Sequence, residues 1–201
     1  MNYYLVIAAA MVVAMNSFYA AIMPLSTTEE TTSMSAGTKL AFANPAHFEQ
    51  VRLIHDTVMG GRSEGAIEKA SDPTGLRFHG SLSLANNGGF ASVEFKLAES
   101  LSELPLSGIQ LNAAGDGRNY QLRLKTPNIP RGAAYVAKFE SSTDTTQYHF
   151  QLTSFVAQYR GRPLTHVPKL NFSDVSHISL MLADKDSGPF SIVLYSIALS
   201  K

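Results

Sequence analysis

The chain has 201 residues, of which 45% are hydrophobic and 16% are charged, and this composition is typical of a globular protein. It contains no cysteine, which excludes disulfides, thiolate nucleophiles and cysteine-ligated metal clusters. Sixteen Lys and Arg residues balance sixteen Asp and Glu residues. All of the basic residues but only fourteen of the acidic ones lie from Lys39 onwards, so this part of the chain carries a charge of +2. A charge this small argues against a nucleic-acid-binding protein.

The first 25 residues form an apolar segment. One uninterrupted run extends from Leu5 to Met15, and a second follows from Phe18 to Met23. The first run has the length of the hydrophobic region of a signal peptide, whereas the stretch through Leu25 has the roughly twenty residues of a membrane-spanning helix. We expect residues 1–25 to be a signal peptide or an uncleaved membrane anchor, unless the start codon is wrongly assigned. The chain is then exported (periplasmic or extracellular) or anchored by its N-terminus, and it contacts a membrane only through residues 4–25.

The rest of the chain divides into a linker and one domain. Residues 26–39 are small and polar and lack hydrophobic periodicity, which is typical of a flexible linker. Residues 40–201 are long enough for one substantial hydrophobic core.

Apolar and polar residues alternate with a period of two over much of this domain. Because side chains alternate across a strand, the pattern predicts about eight half-buried strands. Turn residues separate the runs, so we expect an all-β fold, a two-sheet β-sandwich or jelly roll. Short helices are possible at 45–50 and 99–104. The apolar positions are Leu76, Phe78, Leu82 and Leu84; Val93, Phe95 and Leu97; Ile109, Leu111 and Ala113; Tyr120, Leu122 and Leu124; Tyr148, Phe150 and Leu152; Ile178, Leu180 and Leu182; Phe190, Ile192 and Leu194; and, after a change of phase, Ile197 and Leu199.

The segment 55–65 (HDTVMGGRSEG) lacks the alternation of a strand. Its paired glycines permit positive φ and close approach of the backbone, and its aspartate can accept hydrogen bonds from nearby amides. Two interpretations remain open: a loop that meets a ligand or partner, and a tight turn that leads into a strand. The candidate contact residues are Asp56, Met59, Gly60 and Gly61.

Two further connections carry the same ambiguity. Residues 86–89 (NNGG) suit left-handed conformations, so they form either a tight connection or a polar pocket lined by amides. Residues 115–118 (GDGR) form either a ligand loop or a turn with an Arg–Asp pair, since Arg118 and Arg123 both have the forked geometry that binds carboxylate or phosphate. The candidates here are Asn86, Asn87, Gly88, Gly89, Asp116, Gly117 and Arg118.

A small basic cluster follows later in the chain. Arg160 and Arg162 flank Gly161, and together they suit an acidic surface on a partner. The cluster is too small for a nucleic-acid footprint.

Enzyme motifs are absent from the sequence. The six histidines show no HExxH or HxH spacing, and neither GxSxG nor GxGxxG occurs. Asp56, Asp116 and Asp184 would have to supply any carboxylate pair for glycoside cleavage, but each lies in a turn-like context. We therefore expect no catalytic residue, no metal, no cofactor and no enzymatic activity.

Five segments, taken in order, resemble the complex I intermediate-associated protein 30 family over roughly residues 42–199. The resemblance implies a galactose-binding-domain-like β-sandwich and a chaperone-like, non-enzymatic role in assembly of respiratory NADH:ubiquinone oxidoreductase. The segments are VMGGRS at 58–63, FHGSLSLANNGGFASV at 78–93, GDGRNYQLRL at 115–124, FVAQYRGRP at 155–163 and LMLADKDSGPF at 180–190.

Two functions follow as expectations. The first is a protein-binding assembly module whose partners are proteins, including membrane or respiratory-complex subunits. The second is a carbohydrate-binding module outside the cytoplasm, whose partner is a glycan. Because sites on such scaffolds collect in the connections between strands, we expect most of the candidate residues to gather at one end of the sandwich. These residues are Asp56, Gly60, Gly61, Asn86, Asn87, Gly89, Asp116 and Arg118.

Overall fold

A computed structural model of the chain describes residues 39–99, 101 and 106–200. The predicted leader at 1–25 lies outside these residues, as does the predicted linker except for Lys39, which begins a strand. Most of the possible helix at 99–104 also lies outside them. None of the helices in the described ranges is long and apolar enough to cross a membrane.

The described residues form thirteen β-strands, joined by turns and short 3-10 segments. The strands are β1 (Lys39–Ala41), β2 (Phe48–His55), β3 (Glu64–Ser71), β4 (Thr74–Leu82), β5 (Ala91–Leu97), β6 (Gly108–Ala114), β7 (Asn119–Lys125), β8 (Ala133–Glu140), β9 (Thr146–Gln151), β10 (Val156–Tyr159), β11 (Arg162–Pro163), β12 (His177–Leu182) and β13 (Gly188–Ser200). The 3-10 segments are Pro45–His47, Asp56–Met59, Ala85–Asn87, Leu152–Ser154 and Phe172–Asp174.

The strands build two antiparallel sheets. One has six strands in the order β3-β4-β13-β6-β9, with β1 also pairing with β13. The other has seven strands in the order β11-β10-β8-β7-β12-β5-β2. The expectation of an all-β, two-sheet sandwich of the jelly-roll type is therefore confirmed.

The hydrophobic core lies between the sheets and is made by alternate residues of each strand. Val93 on β5 pairs with Leu180 on β12, which pairs with Leu122 on β7, and all three side chains are buried. Phe95 packs on Phe48 with ring centroids 5.0 Å apart. Burial of each such side chain stabilises the fold by about 1.5–3 kcal/mol, so this layer is the main source of stability.

Strand β13 runs through the centre of the six-stranded sheet. Its first half pairs with β4, its second half pairs with β1 on the same side, and β6 pairs with it on the other side. The register shifts between Leu194 and Ser196, which accounts for the change of phase before Ile197 in the sequence.

Two details of the sequence interpretation are wrong. The segment 45–50 is helical only at Pro45–His47, because Phe48 already begins β2 and turns its ring into the core. Leu84 does not continue the inward face of β4; the strand ends at Leu82, and Leu84 is 44% exposed.

Candidate functional site

The connections that carry most candidate residues meet at one end of the sandwich. His55 pairs with Ala91, which pairs with Leu182, and Leu182 pairs with Tyr120, so the chain segments next to them emerge side by side. We call this the loop end; it comprises residues 56–63, 83–90, 115–118 and 183–187. It includes all eight residues that we expected to gather there.

Arg160 and Arg162 lie elsewhere. They flank the turn between β10 and β11, and the neighbouring Tyr159 pairs with Ala133 at the start of β8. The other end of β8 lies next to the loop end, because Glu140 pairs with Asn119, which directly follows residues 115–118. The structure therefore separates this basic cluster from the other candidates, and the Arg160 guanidinium lies over the Tyr159 ring at 5.4 Å.

Asp56 holds the loop end together. Its carboxylate is fully buried and accepts hydrogen bonds from the Ser63 backbone N–H at 2.9 Å and the Ser63 hydroxyl at 2.5 Å. The backbone N–H groups of Gly89 and Phe90 donate to the same carboxylate at 2.6 and 3.4 Å. One side chain thus joins two segments of the loop end, 56–63 and 83–90, which is a structural role.

Two glycines make room for this carboxylate. A Cβ at Gly61 would lie 2.3 Å from Asp56 Oδ1, and a Cβ at Gly88 would lie 2.5 Å from Asp56 Oδ2. Asn86 adds a link, because its side-chain amide donates to the Gly60 carbonyl at 3.0 Å. Close approach to Asp56 therefore explains Gly61 and Gly88, whereas Gly60 and Gly89 adopt positive φ angles of 86° and 121°.

The hydrogen bonds also set the pKa of Asp56. Burial raises the pKa of this carboxyl, but the bonds from Ser63, Gly89 and Phe90 outweigh that effect and hold it below its usual value. The group therefore stays ionised in the folded protein at neutral pH.

The Arg118 guanidinium, like the Asp56 carboxylate, forms several hydrogen bonds within the domain. It binds Asp184 in a forked pair at 2.9 and 2.8 Å and donates to the carbonyls of Asp186, Gly188 and Pro189. Burial raises the pKa of Asp184, but the contact with Arg118 more than reverses this, while Asp184 raises the pKa of Arg118. The pair anchors the β12–β13 connection to the start of β7.

Asp116 completes the network on that side. It accepts hydrogen bonds from the Tyr120 hydroxyl at 3.1 Å and from the Ser191 backbone N–H at 2.7 Å, and from Arg118 N–H and the Ser141 hydroxyl as well. Burial and the charge of Asp116 raise the pKa of Tyr120, which stays protonated as a donor. All three aspartates considered for glycoside cleavage thus form hydrogen bonds or ion pairs within the domain.

Among its exposed residues, the loop end has three large apolar side chains. Val58 is 72% exposed, Met59 is 60% exposed and Leu84 is 44% exposed, and a hydrogen bond from Asn86 to Gly60 joins the two segments that carry them. We call Val58, Met59 and Leu84 the apolar tip. Asn87 is also exposed, at a left-handed φ of 57°.

A second candidate surface lies on the seven-stranded sheet, on the side that faces away from the six-stranded sheet; we call it the outer face. Across its centre the paired residues are Arg52, Glu94, Ser179, Arg123 and Val136. Although they point outward, the last four of these are buried by their neighbours. The row is polar and mostly enclosed.

Most acidic groups on the outer face already have cationic partners. Lys125 donates to Glu94, and Lys96 pairs with Glu49 at 2.6 Å. Arg123, only 8% exposed, has no ion pair within 4 Å in the described part of the chain and donates there to the Gln121 side chain alone, at 3.1 Å. Burial lowers the pKa of Arg123, and the charge of Glu94 only partly opposes this.

His177 reports the charge of this surface. Burial lowers its pKa, Glu94 raises it, and the three cations Lys125, Lys96 and Arg52 lower it further. The charges that act on His177 are therefore one carboxylate and three cations, two of which are paired with Glu94 and Glu49.

No group of three or more His, Cys, Asp or Glu side chains within the described ranges is arranged to hold a metal ion.

Comparison with known proteins decides the family. The sequence pattern of the complex I intermediate-associated protein 30 (CIA30) family matches residues 40–194, which include almost all of the sandwich. The chain belongs to this family. The recognition of the family from five ordered segments is confirmed. Four of those segments contribute residues to the Asp56, Asp116 and Arg118 contacts that hold the CIA30 domain together at its loop end.

A relative of the CIA30 domain occurs in Schizosaccharomyces pombe (strain 972 / ATCC 24843). It is the uncharacterised protein C9E9.15, which is 26% identical over 170 residues, 75% of this chain and 78% of its own length.

Solved structures support the fold. The family 11 carbohydrate-binding module of the cellulosomal cellulase Lic26A-Cel5E of Clostridium thermocellum superposes with a TM-score of 0.55 at 13% identity, covering 83% of this chain and 97% of the module. A solution structure of CtCBM11 gives 0.53 at 14% identity, covering 84% and 99%. At such low identity the likeness is one of fold.

The outer face of the CIA30 domain was missed at the sequence level, although Arg123 was noted for its forked geometry. The available signal is the alternation of Arg123 and Lys125 with Leu122 and Leu124, which places both cations opposite the core. Their neighbours Ser179 and Glu94 come from other strands, so the buried row depends on strand pairing that the sequence pattern does not contain.

Proposed function

We propose that the chain is a non-enzymatic protein-binding module that acts as an assembly factor on intermediates of respiratory NADH:ubiquinone oxidoreductase. The family's name associates its members with a complex I intermediate. The structural observation that supports protein binding is the apolar tip, where Val58 and Met59 are more than half exposed on a loop fixed by Asp56.

The apolar tip has the properties of a preorganised contact. Exposed apolar groups that cluster on a surface mark interaction sites, and methionine adapts well to a partner surface. Four hydrogen bonds to Asp56 fix the backbone beneath the tip, so little conformational entropy is lost when a partner binds.

The loop end favours binding over catalysis. A general acid or base needs an accessible carboxyl, but Asp56 is buried and ionised, and Asp184 is held by Arg118. We therefore propose that the polar residues of the loop end shape the contact surface and take part in no reaction.

The alternative of a glycan partner has less support. Sugar sites usually stack the ring on an exposed aromatic side chain. In the residues that the structure describes, Tyr120 and Tyr135 are buried, and Phe90, Tyr148 and Tyr195 are only partly exposed. Tyr159 is 39% exposed but lies away from both the apolar tip and the centre of the outer face. We keep glycan binding as the outcome that the experiments below must separate.

We also propose that the domain acts where residues 1–25 place it, either exported or held at a membrane by an uncleaved anchor. Mass spectrometry of the mature N-terminus, together with cell fractionation, tests this. Recovery of the chain with Met1 intact in the soluble cytoplasmic fraction would contradict both versions.

Capture of partners by two matched variants tests the assembly role. The variant V58D/M59D places charge on the apolar tip, and S71D places charge on the exposed Ser71 at the end of β3, in the six-stranded sheet, as a control. We expect subunits of NADH:ubiquinone oxidoreductase to be recovered with the wild type and S71D and lost with V58D/M59D, while both variants keep their unfolding free energy within about 0.5 kcal/mol.

Two results would contradict the proposal. One is recovery of no such subunit above background with the wild type. The other is equal recovery with V58D/M59D, which would remove the apolar tip from the contact. Calorimetry with neutral and acidic glycans separates the alternative, since heat of binding there without protein capture would favour a carbohydrate-binding module.

A further inference from the structure

The outer face contains a charge that the protein leaves without a counterion. Three arginines of the domain can be compared: Arg77 pairs with Glu68 at 2.9 Å, Arg118 pairs with Asp184, and Arg123 has no carboxylate within 4 Å in the described part of the chain. Arg123 is nevertheless 92% removed from solvent. Its nitrogens are not among the buried side-chain atoms that lack a hydrogen-bond partner in the described residues, so the guanidinium still reaches solvent with its charge unneutralised by any nearby carboxylate.

The neighbouring acids do not supply the missing partner. Glu94 lies two strands away from Arg123, beyond Ser179, and its carboxylate accepts from Lys125. Glu140 shares the same face of β8 but lies at the loop end, four residues beyond Val136, the partner of Arg123. Arg123 thus keeps most of its five N–H donors available.

Positive charge extends on both sides of Arg123. Lys125 follows two residues later on the same face of β7, and Lys138 of β8 pairs with Gln121, the residue that accepts from Arg123. Arg52 lies at the far end of the same row. Lys125 has two further N–H donors after its contact with Glu94.

We propose that the outer face binds an acidic, extended segment of a protein partner, with Arg123 as the forked donor to one carboxylate. Arginine donates two parallel hydrogen bonds to a planar carboxylate, a geometry that lysine does not offer. The idea rests on the proposed function in that the partner is a protein, but it concerns a surface separate from the apolar tip.

The spacing of the cations fits such a segment. Arg123 and Lys125 are two residues apart on one strand, so their side chains leave the sheet about 6.6 Å apart. An extended peptide presents its side chains i and i+2 on one side with the same spacing. Two acidic residues separated by one other residue therefore meet Arg123 and Lys125 together.

A peptide fits this surface better than a sugar or a membrane. The described residues of the central row contain no aromatic ring for a sugar to stack on. The net charge of +2 from Lys39 onwards is too small for attachment to an anionic membrane surface by charge alone.

Titration with two synthetic peptides tests the proposal. One alternates Glu and Ser and the other alternates Gln and Ser, and binding to the full chain is followed by calorimetry at low ionic strength. We expect binding of the Glu peptide only, weakening with added salt. The variant R123Q should lose at least about tenfold in affinity, R123K should lose less, and the control R77Q on the other sheet should stay within about twofold.

Three results would overturn the proposal: no binding of the Glu peptide, equal binding by R123Q, or competition by inorganic phosphate as strong as that by the peptide, which would show a general anion site. If the peptide titration fails but the capture experiment recovers partner subunits through the apolar tip, the proposed function still holds and only the acidic-segment proposal is overturned.

Thermal unfolding of R123M separates a binding role from a structural one. Methionine fills similar space without a charge, so removal of an unpaired buried cation should raise the unfolding midpoint by about 2–4 °C. A lower midpoint would show that Arg123 supports the fold and would overturn the proposal, even if R123Q could not be purified in folded form.

Discussion

The loop end and the outer face each contain a buried charged side chain, and the two side chains differ in how many hydrogen bonds they form within the protein. At the loop end, Asp56 is fully buried and accepts four hydrogen bonds from its own chain. On the outer face, Arg123 is nearly as buried, yet Gln121 is its one acceptor in the described part of the chain. Asp56, which lies in a conspicuous sequence motif, thus has its hydrogen bonds satisfied within the fold. Arg123, which is less conspicuous in the sequence, keeps most of its N–H donors free.

The comparison shows how to distinguish structural from functional polar groups in this domain. A satisfied buried group stabilises the fold and has little capacity for a ligand, because each donor or acceptor is already engaged. A buried polar group without a hydrogen-bond partner lowers the unfolding free energy, and it forms its missing hydrogen bonds only when a ligand binds. The predictions below test the two halves of that statement.

Replacement of Asp56 should have the largest effect. D56A leaves the Ser63 and Gly89 backbone N–H groups without their side-chain acceptor and leaves the Ser63 hydroxyl only the Ser83 carbonyl at 3.2 Å, so we expect a loss of about 4 kcal/mol in unfolding free energy. Urea denaturation measures it. D144A, at an exposed turn, should change stability by less than about 0.5 kcal/mol. A loss below about 1 kcal/mol for D56A would break the comparison.

Arg118 and Arg123 should respond with opposite signs. R118Q leaves Asp184 largely buried without its partner, so we expect a loss of about 3 kcal/mol, in contrast to the gain expected for R123M. The double variant R118Q/D184N should recover part of that loss, because it removes the unpaired carboxylate. Destabilisation by both R118Q and R123M would mean that the two arginines have the same role.

Glycine substitutions probe the space around Asp56. G61A places a Cβ 2.3 Å from the Asp56 carboxylate, so we expect a loss of about 2 kcal/mol by urea denaturation. The control G161A meets nothing within 4 Å and only strains a φ of +76°, which costs about 1 kcal/mol. Gly61 has no positive φ, so a loss below about 0.5 kcal/mol for G61A would show that the Asp56 carboxylate can move aside and that this contact does not require glycine.

Acid should weaken the loop end gradually. The pKa values of Asp56 and Asp184 lie below 3.8 in the folded state, so the folded protein binds fewer protons than the unfolded chain there. Their stabilising contribution is complete above about pH 4 and falls as the pH drops below 3.8, by up to about 1.4 kcal/mol per pH unit for each carboxyl. Urea denaturation at a series of pH values measures the slope, which D56N should reduce.

Alternation predicted strands wherever one face is apolar and the other polar. Strands β4, β5, β6, β7, β9, β12 and β13 all begin and end close to the expected runs. The prediction was correct there because inward-facing and outward-facing residues differ in polarity. In β7, for example, Leu122 and Leu124 face the core while Gln121 and Arg123 face outward, so the alternation is visible in the sequence.

Strands without that contrast were missed. In β8, both faces are covered, so Ala134 and Val136 on the outer face are as apolar as Ala133 and Ala137 on the inner one. In β2, the opposite holds: Val51 and Leu53 point inward at the edge of the sheet but stay partly exposed, and polar residues surround them. A period of two is weak in both cases.

Turn chemistry identified the loops but not their contacts. Gly60, Gly61 and Asn86 were recognised as turn residues, and they do lie in turns. Arg118, however, pairs with Asp184, which is 66 residues away in the chain. Such a pair follows from the register of β7 against β12, which only the folded sheet defines.

The position of β13 in the sheet has a consequence for synthesis. Residues 188–200 supply the partner strand for β1, β4 and β6, all of which leave the ribosome earlier. Until they emerge, the nascent chain displays unpaired strand edges beside a half-made core, and such edges attract other chains. The six-stranded sheet therefore closes only after its last strand has been translated.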